Sequence, residues 1–151
     1  MRIGLIAISG VRVQNTDLLE LGLTLPGFVE RSKVIASLPS LSLLTLAGMT
    51  PTEIEVSYLE VPDLNAVDYV PGEFDVVAIS SFTAQIKDAY TLADRYRAAG
   101  TKVLLGGLHV TAMPDEAALH ADAIVLGEAE PVWPHVIHDL LHRTLQPRYD
   151  A

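Results

Sequence analysis

The chain has 151 residues, the length of one compact domain, with ten basic and nineteen acidic residues that give a net charge of −9. This balance argues against a nucleic-acid partner, which needs clustered Lys and Arg, and the lack of cysteine excludes disulfides, thiolate nucleophiles and cysteine-ligated metal sites within these residues. No apolar run reaches the about 18 residues that suggest a membrane span, and the short apolar start does not resemble a signal peptide, so we expect a cytoplasmic protein.

Short apolar runs alternate with amphipathic segments, a pattern typical of a parallel β-sheet covered by helices on both faces. We predict an α/β, flavodoxin-like (Rossmann-like) three-layer sandwich with a five-stranded parallel sheet in the order 2-1-3-4-5. The second strand alternates polar and apolar residues, which predicts an edge position for it. The predicted strands are residues 2–9, 53–60, 75–80, 102–105 and 123–126.

Helical periodicity fills most of the sequence between these strands. The clearest helix is predicted over residues 85–99, where apolar side chains recur at i, i+3 and i+4 and Gly100 follows as a helix-ending glycine. Further helices are predicted over residues 40–49, with Leu43, Leu44 and Ala47 facing inward, and over residues 115–121 and 132–142.

Two segments lack this periodicity. Residues 10–39 form a long connection in which only residues 18–25 suggest a helical turn, and connections of that length are usually functional or partly helical. Residues 143–151 contain Pro147 and no pattern, which is typical of a linker. We therefore predict a domain over residues 1–142, followed by the start of a linker towards a further domain.

Ligands of open parallel sheets bind outside the carboxyl ends of the strands, so the residues that follow each predicted strand are candidates for a binding site. The glycine pair after the fourth strand either makes a plain turn or lets a ligand approach the backbone, and the serine pair after the third either caps the next helix or donates to a ligand. His109 is either structural or a ligand. The candidate binding residues are Ser9, Ser80, Ser81, Phe82, Thr83, Gly106, Gly107, His109, Thr111, Gly127 and Glu128.

Several common sites are excluded because their motifs are missing. The chain has no G-x-G-x-x-G after its first strand, no Walker A loop, no G-x-S-x-G nucleophile elbow and no acidic residues where a phospho-receiver domain needs them. His138 and His142 have the i, i+4 spacing of a metal-binding pair, but no third ligand is near them in the sequence, so we predict no metal site and no catalytic residue.

The segment 106–117 (GGLHVTAMPDEA), followed by 127–130 (GEAE), resembles the N-terminal cobalamin (B12)-binding domain of B12-dependent radical SAM enzymes. The resemblance extends over nearly all of the chain after about Pro39. It implies that Ser80 corresponds to the serine of the family's S-x-L motif, that Phe82 takes the leucine position, and that Gly106 and Gly107 are its double glycine. These loops would then hold the nucleotide tail of cobalamin, with its base buried against the sheet.

One motif of the wider cobalamin-binding fold, D-x-H-x-x-G, is absent, and no histidine follows the first strand until His109. The resemblance therefore implies cobalamin bound base-off, without a histidine on its cobalt ion. It also implies a radical SAM catalytic domain, in cis or in trans, that holds the iron–sulfur cluster and S-adenosylmethionine and performs methyl transfer or related radical chemistry. Two alternatives remain open: a degenerate scaffold or interaction module with no cofactor, and a flavodoxin-like binder of another nucleotide-tailed ligand such as FMN.

Overall fold

The computed structural model describes residues 1–8, 39–61, 64 and 73–151 of the chain. These residues form a sheet of six strands: β1 (Arg2–Ile8), β2 (Glu55–Val61), β3 (Val76–Ser81), β4 (Lys102–Gly106), β5 (Ala123–Leu126) and β6 (Arg148–Asp150). All neighbouring strands are parallel, in the order β2-β1-β3-β4-β5-β6. The predicted parallel α/β sheet, its order over the first five strands and the edge position of β2 are therefore confirmed.

The described helices are α1 (Leu41–Met49), α2 (Ile86–Ala98), α3 (Leu108–Ala112), α4 (Pro114–Ala117) and α5 (Trp133–His142), with a 3-10 turn over Thr83–Gln85 before α2. Gly100 follows α2 with a φ of 86°, the left-handed conformation expected of a helix-ending glycine. The predicted helical turn at residues 18–25, and all of the long connection except Pro39, lie outside the described residues.

The prediction of five strands was wrong, because a sixth lies within the segment that was assigned to a linker. Strand β6 pairs with β5, with Ile124 opposite Arg148 and Leu126 opposite Asp150. Its central residue, Tyr149, is 4% exposed and packs in the core between the sheet and α5. Three residues with charges at both ends carry no apolar alternation, so only tertiary contacts define this strand.

The sheet has a separate apolar cluster on each face, because successive side chains of a strand point to opposite sides. On one face, Ile3 and Leu5 of β1 pack with α1 and α5, and on the other Ile6 packs with α2, α3 and α4. Within α1, Leu43 and Leu46 are buried whereas Leu44 is 40% exposed, so the predicted inward position of Leu44 was wrong.

A buried carboxylate joins β6 to α5. Asp139 accepts hydrogen bonds from the hydroxyls of Tyr149 (2.8 Å) and Thr144 (3.3 Å), and His138 and His135 lie 3.2 and 3.3 Å from its two oxygens. The Tyr149 hydroxyl holds the pKa of Asp139 below its ordinary value, against the opposing effect of burial, with further lowering by His138, His135 and Thr144. The ionised form of Asp139 therefore stabilises the packing of β6 against α5 through its hydrogen bond from Tyr149.

This bond predicts an acid-sensitive contribution to stability. Because the folded-state pKa of Asp139 is lowered, its contribution is present above the ordinary aspartate pKa and is lost as the pH falls through the lowered value. We expect Tyr149→Phe to lower the melting temperature by about 3–8 °C at pH 7. The deficit relative to wild type should shrink towards pH 3. Thermal melts across this range check the prediction, and a deficit that does not vary with pH would contradict it.

Candidate functional site

A cavity of about 750 Å³ opens at the carboxyl edge of the sheet, on the face covered by α1 and α5. Its size falls in the range of about 300–1,000 Å³ that is usual for small-molecule sites. The sheet residues Ala7, Ala78, Leu104 and Val125 make one part of its wall apolar, whereas the loops after the strands supply polar groups. Such a lining suits a ligand that has both an apolar and a polar part.

Most of the candidate residues that the structure describes meet at this cavity. They come from the loops after β3, β4 and β5, which the parallel topology brings to one edge of the sheet. Ser9 lies outside the described residues, and Thr83 and His109 do not line the cavity. The candidates in its wall are Ser80, Ser81, Phe82, Gly106, Gly107, Thr111, Gly127 and Glu128.

The two glycines of the pair have different surroundings. Gly107 has a φ of 107°, and a Cβ placed on it would lie 3.2 Å from both Ser80 Oγ and the carbonyl oxygen of Ser81. A Cβ on Gly106 would meet Val125 O at 3.7 Å, an ordinary van der Waals contact. The ends of β3 and β4 thus approach each other closely at Gly107, where a side chain would be strained and crowded.

The serine pair does not cap the helical segment that follows it. Phe82 is the N-cap of the 3-10 turn and Gln85 that of α2, and neither helix start has a side-chain cap. Ser81 Oγ instead donates to the carbonyl oxygen of Phe82 at 3.0 Å. Capping, the structural alternative for Ser80 and Ser81, is therefore not what the structure shows, and both residues lie in the cavity wall.

His109 lies on the side of α3 that faces α2 and α4. Its Nδ1 is 3.3 Å from Thr83 Oγ1 and its Nε2 is 3.4 Å from Glu116 Oε1, and only 12% of its side chain is exposed. The ring also meets Tyr90 edge-on, with 6.4 Å between the ring centroids. Burial, with help from Glu116, raises the pKa of Tyr90 to about 12, so its hydroxyl stays neutral at ordinary pH. The geometry assigns His109 and Thr83 to a polar cluster beside the cavity.

Sequence reasoning missed the part of the cavity wall that helices α1 and α5 provide. Trp133 is 1% exposed and donates from Nε1 to Thr50 Oγ1 at 2.9 Å, which ties the start of α5 to the end of α1. The sequence does not distinguish a helical leucine that lines a cavity from one that packs in the core. The single tryptophan was the one residue in these helices whose type could have drawn attention to the wall. The wall residues outside the sheet that were not among the candidates are Pro39, Ser40, Leu41, Ser42, Leu43, Leu46, Leu108, Ala129 and Trp133.

Metal-binding clusters and membrane-spanning helices are both absent from the described part of the chain. There, no group of three or more His, Cys, Asp or Glu side chains is placed to hold a metal ion. The rings of His138 and His142 stack on each other, with 4.1 Å between their centroids. None of the described helices is long and apolar enough to cross a bilayer.

The family model for the B12 binding domain matches residues 31–137. The chain belongs to the B12-binding domain family. The matched range contains the whole glycine-lined rim, from Ser80 to Glu128, and also α1 and the start of α5. All residues that line the cavity of this B12-binding domain, apart from Ala7 and Ile8, lie within the matched range.

Curated relatives support the assignment to the B12-binding domain family. The chain is 37% identical to the bacteriochlorophyllide d C-8(2)-methyltransferase of Chlorobaculum tepidum over 111 residues, and 37% identical to the C-12(1)-methyltransferase of the same organism over 114 residues. It is 34% identical over 107 residues to an uncharacterized methyltransferase of Synechocystis. These matches cover 74%, 74% and 68% of this chain but only 24%, 24% and 19% of the relatives, so the B12-binding domain spans at most about a quarter of their length. No solved structure gives a significant match.

Proposed function

We propose that this domain holds cobalamin at the carboxyl edge of its sheet, with the nucleotide tail in the cavity and the corrin ring outside the strand ends. The observation that carries the proposal is the side-chain-free rim at Gly107, where β3 and β4 approach each other beside an apolar cavity of about 750 Å³. A Cβ at Gly107 would meet Ser80 Oγ and the carbonyl oxygen of Ser81, so glycine is what lets β3 and β4 approach each other there, and the backbone of the same loop lines the cavity.

The residues present fit the group. The benzimidazole base is flat and apolar, which matches an apolar wall of Leu104, Val125 and Trp133. Hydroxyls at Ser80 and Ser81 and the backbone of the loops after β4 and β5 can bond the sugar, phosphate and amide groups of the cofactor. When bound, cobalamin supplies a cobalt centre that can carry a methyl group.

The cofactor is proposed to bind base-off, with no histidine from this domain on the cobalt. None of the described histidines lines the cavity, and His109 is turned towards Thr83 and Glu116. The segment between β1 and Pro39 contains no histidine in its sequence. Neither the described wall of the cavity nor the sequence of this segment therefore offers a histidine as the lower axial ligand of the cobalt.

His109→Ala therefore predicts an unchanged cofactor spectrum. Hydroxocobalamin bound to the variant should show the same base-off absorbance bands as the wild-type complex, because His109 bonds only to protein groups outside the cavity. His120→Ala is a matched control, since His120 stacks on the same Tyr90 ring at 4.2 Å. A large spectral change in the His109 variant alone would contradict the assignment.

We further propose that the domain serves a radical SAM catalytic domain, in cis or in trans, in a cytoplasmic methyl-transfer enzyme. Two observations support this: the relatives named as methyltransferases are about four times the matched length, and this chain has no cysteine for an iron–sulfur cluster. The iron–sulfur cluster and S-adenosylmethionine would then belong to the partner domain, which performs the radical step.

Titration of the purified chain with hydroxocobalamin tests the proposal. We expect saturable binding, shifted absorbance bands and co-elution of the cofactor with the protein on a sizing column. FMN titrated in parallel should not bind. Binding of FMN but not cobalamin would favour a flavodoxin-like ligand, and binding of neither would favour a scaffold domain.

A further inference from the structure

The two glycine-containing loops of the cavity rim are joined by one side chain. Thr111, on α3, donates from Oγ1 to the carbonyl oxygen of Gly107 at 3.1 Å, and the same Oγ1 accepts the backbone N–H of Gly127 at 3.0 Å. We infer that Thr111 is a positioning residue, whose hydroxyl fixes the loop after β5 against the loop after β4 so that both present one wall to the cofactor. The inference rests on the proposed function.

The bond to Gly127 separates Thr111 from ordinary helical threonines. Threonine in a helix commonly donates back to the carbonyl four residues earlier, as Thr45 does to Leu41 (2.9 Å) and Thr91 does to Lys87 (2.8 Å). Thr111 makes this bond too, but its oxygen also accepts from Gly127, sixteen residues further along the chain and at the end of another strand. The hydroxyl therefore fixes a distance between two loops that the helix alone does not determine.

The two joined glycines are the points where the rim is shaped by the backbone alone. Gly107 has a φ of 107° and approaches Ser80, and Gly127 has a φ of 76° and approaches Ala151, whose Cβ would lie 3.5 Å from a Cβ on this glycine. Contacts thus run across the ends of β3, β4, β5 and β6, with Thr111 between the two glycines. The loops around both glycines line the cavity, so a shift of one loop changes the width of the site.

Loss of this hydroxyl should affect binding more than folding. Both bonds of Thr111 Oγ1 are exposed, so water can replace the hydroxyl as the acceptor for Gly127 N–H when the side chain is valine. Water does not hold the two loops at a fixed separation, and a rigid ligand needs walls placed to within about 0.5 Å. The structural role and the binding role of Thr111 therefore predict different readouts.

Thr111→Val, Thr111→Ser and Thr91→Val are to be compared by hydroxocobalamin titration, thermal melts and hydrogen exchange at the Gly127 amide. We expect Thr111→Val to weaken cobalamin binding about tenfold, because the loop after β5 must then be ordered when the cofactor binds, and to speed exchange at Gly127 while melting within a few degrees of wild type. Thr111→Ser keeps the hydroxyl and should bind like wild type. Thr91→Val removes a back-bond of the same kind on α2 and should leave the affinity unchanged.

Wild-type affinity in Thr111→Val, or equal losses in the valine and serine variants, would overturn the inference. If the unchanged chain binds no cobalamin, the proposed function fails, and hydrogen exchange then decides the role of Thr111. Faster exchange at Gly127 in the valine but not the serine variant supports the coupling of the two loops, and equal exchange in both overturns it.

Discussion

Gly107→Val should abolish cobalamin binding while leaving a folded domain. The valine Cβ would lie 3.2 Å from Ser80 Oγ and from the carbonyl oxygen of Ser81, so the substitution forces the ends of β3 and β4 apart where both line the cavity. Because backbone atoms form one side of this contact, the protein cannot relax away from it cheaply. We expect the affinity for hydroxocobalamin to fall on the order of a hundredfold or more.

Backbone strain must be separated from this steric effect. Valine at the left-handed φ of Gly107 costs about 1–3 kcal/mol of stability. Gly100→Val is the matched control, since Gly100 also has a positive φ of 86° but nothing lies within 4 Å of a Cβ placed there. Both variants should lose stability, and only Gly107→Val should lose cobalamin. Equal cobalamin affinity in the two variants would show that Gly106 and Gly107 form only a turn and do not shape the binding site.

Trp133→Ala should produce the largest loss of stability among these substitutions. Trp133 is 1% exposed, packs between the sheet and α1, and forms part of the cavity wall. Removal of a buried aromatic ring of this size costs about 3–5 kcal/mol, which is a large share of the stability of a typical domain. Urea unfolding followed by circular dichroism measures the change in the free energy of unfolding. Fluorescence is unsuitable because the variant lacks the only tryptophan of the chain.

Thr50→Val tests the hydrogen bond of Trp133 separately. It removes the acceptor that Trp133 Nε1 uses at 2.9 Å but keeps the ring and nearly the same volume at position 50. Thr50 Oγ1 also donates to the carbonyl oxygen of Leu46 at 2.7 Å, so the variant loses two hydrogen bonds and we expect a loss of about 1–3 kcal/mol. A loss as large as that of Trp133→Ala would show that the polar contact, and not packing of the ring, dominates at this position.

The first five strands could be predicted because each has a local pattern. Four are short apolar runs buried on both faces, and β2 shows the alternation of an edge strand. Strand β6 could not be predicted, because its place depends on the Tyr149 hydroxyl reaching Asp139 on α5. That bond joins two elements whose relative position is known only after the sheet has formed.

The candidate site was predicted best where it depends on strand ends and worst where it depends on helix rotation. Helix α3 begins at Leu108, which places Leu108 and Thr111 on the cavity side. His109 is one residue and about 100° further round the helix, so it faces Thr83 and Glu116 instead. A helix of five residues is too short for sequence periodicity to predict which of its side chains face the cavity.

Strand β6 also brings residue 151 to the rim of the cavity. The last residue, Ala151, donates to the carbonyl oxygen of Leu126 and touches Gly127, next to the cavity. Met1, in contrast, lies at the opposite edge beside Asp75 and Lys102, roughly 20 Å away along the length of β1. The carboxyl end of β6 and the amino end of β1 therefore lie at opposite edges of the sheet, and it is the end of β6 that lies next to the cavity.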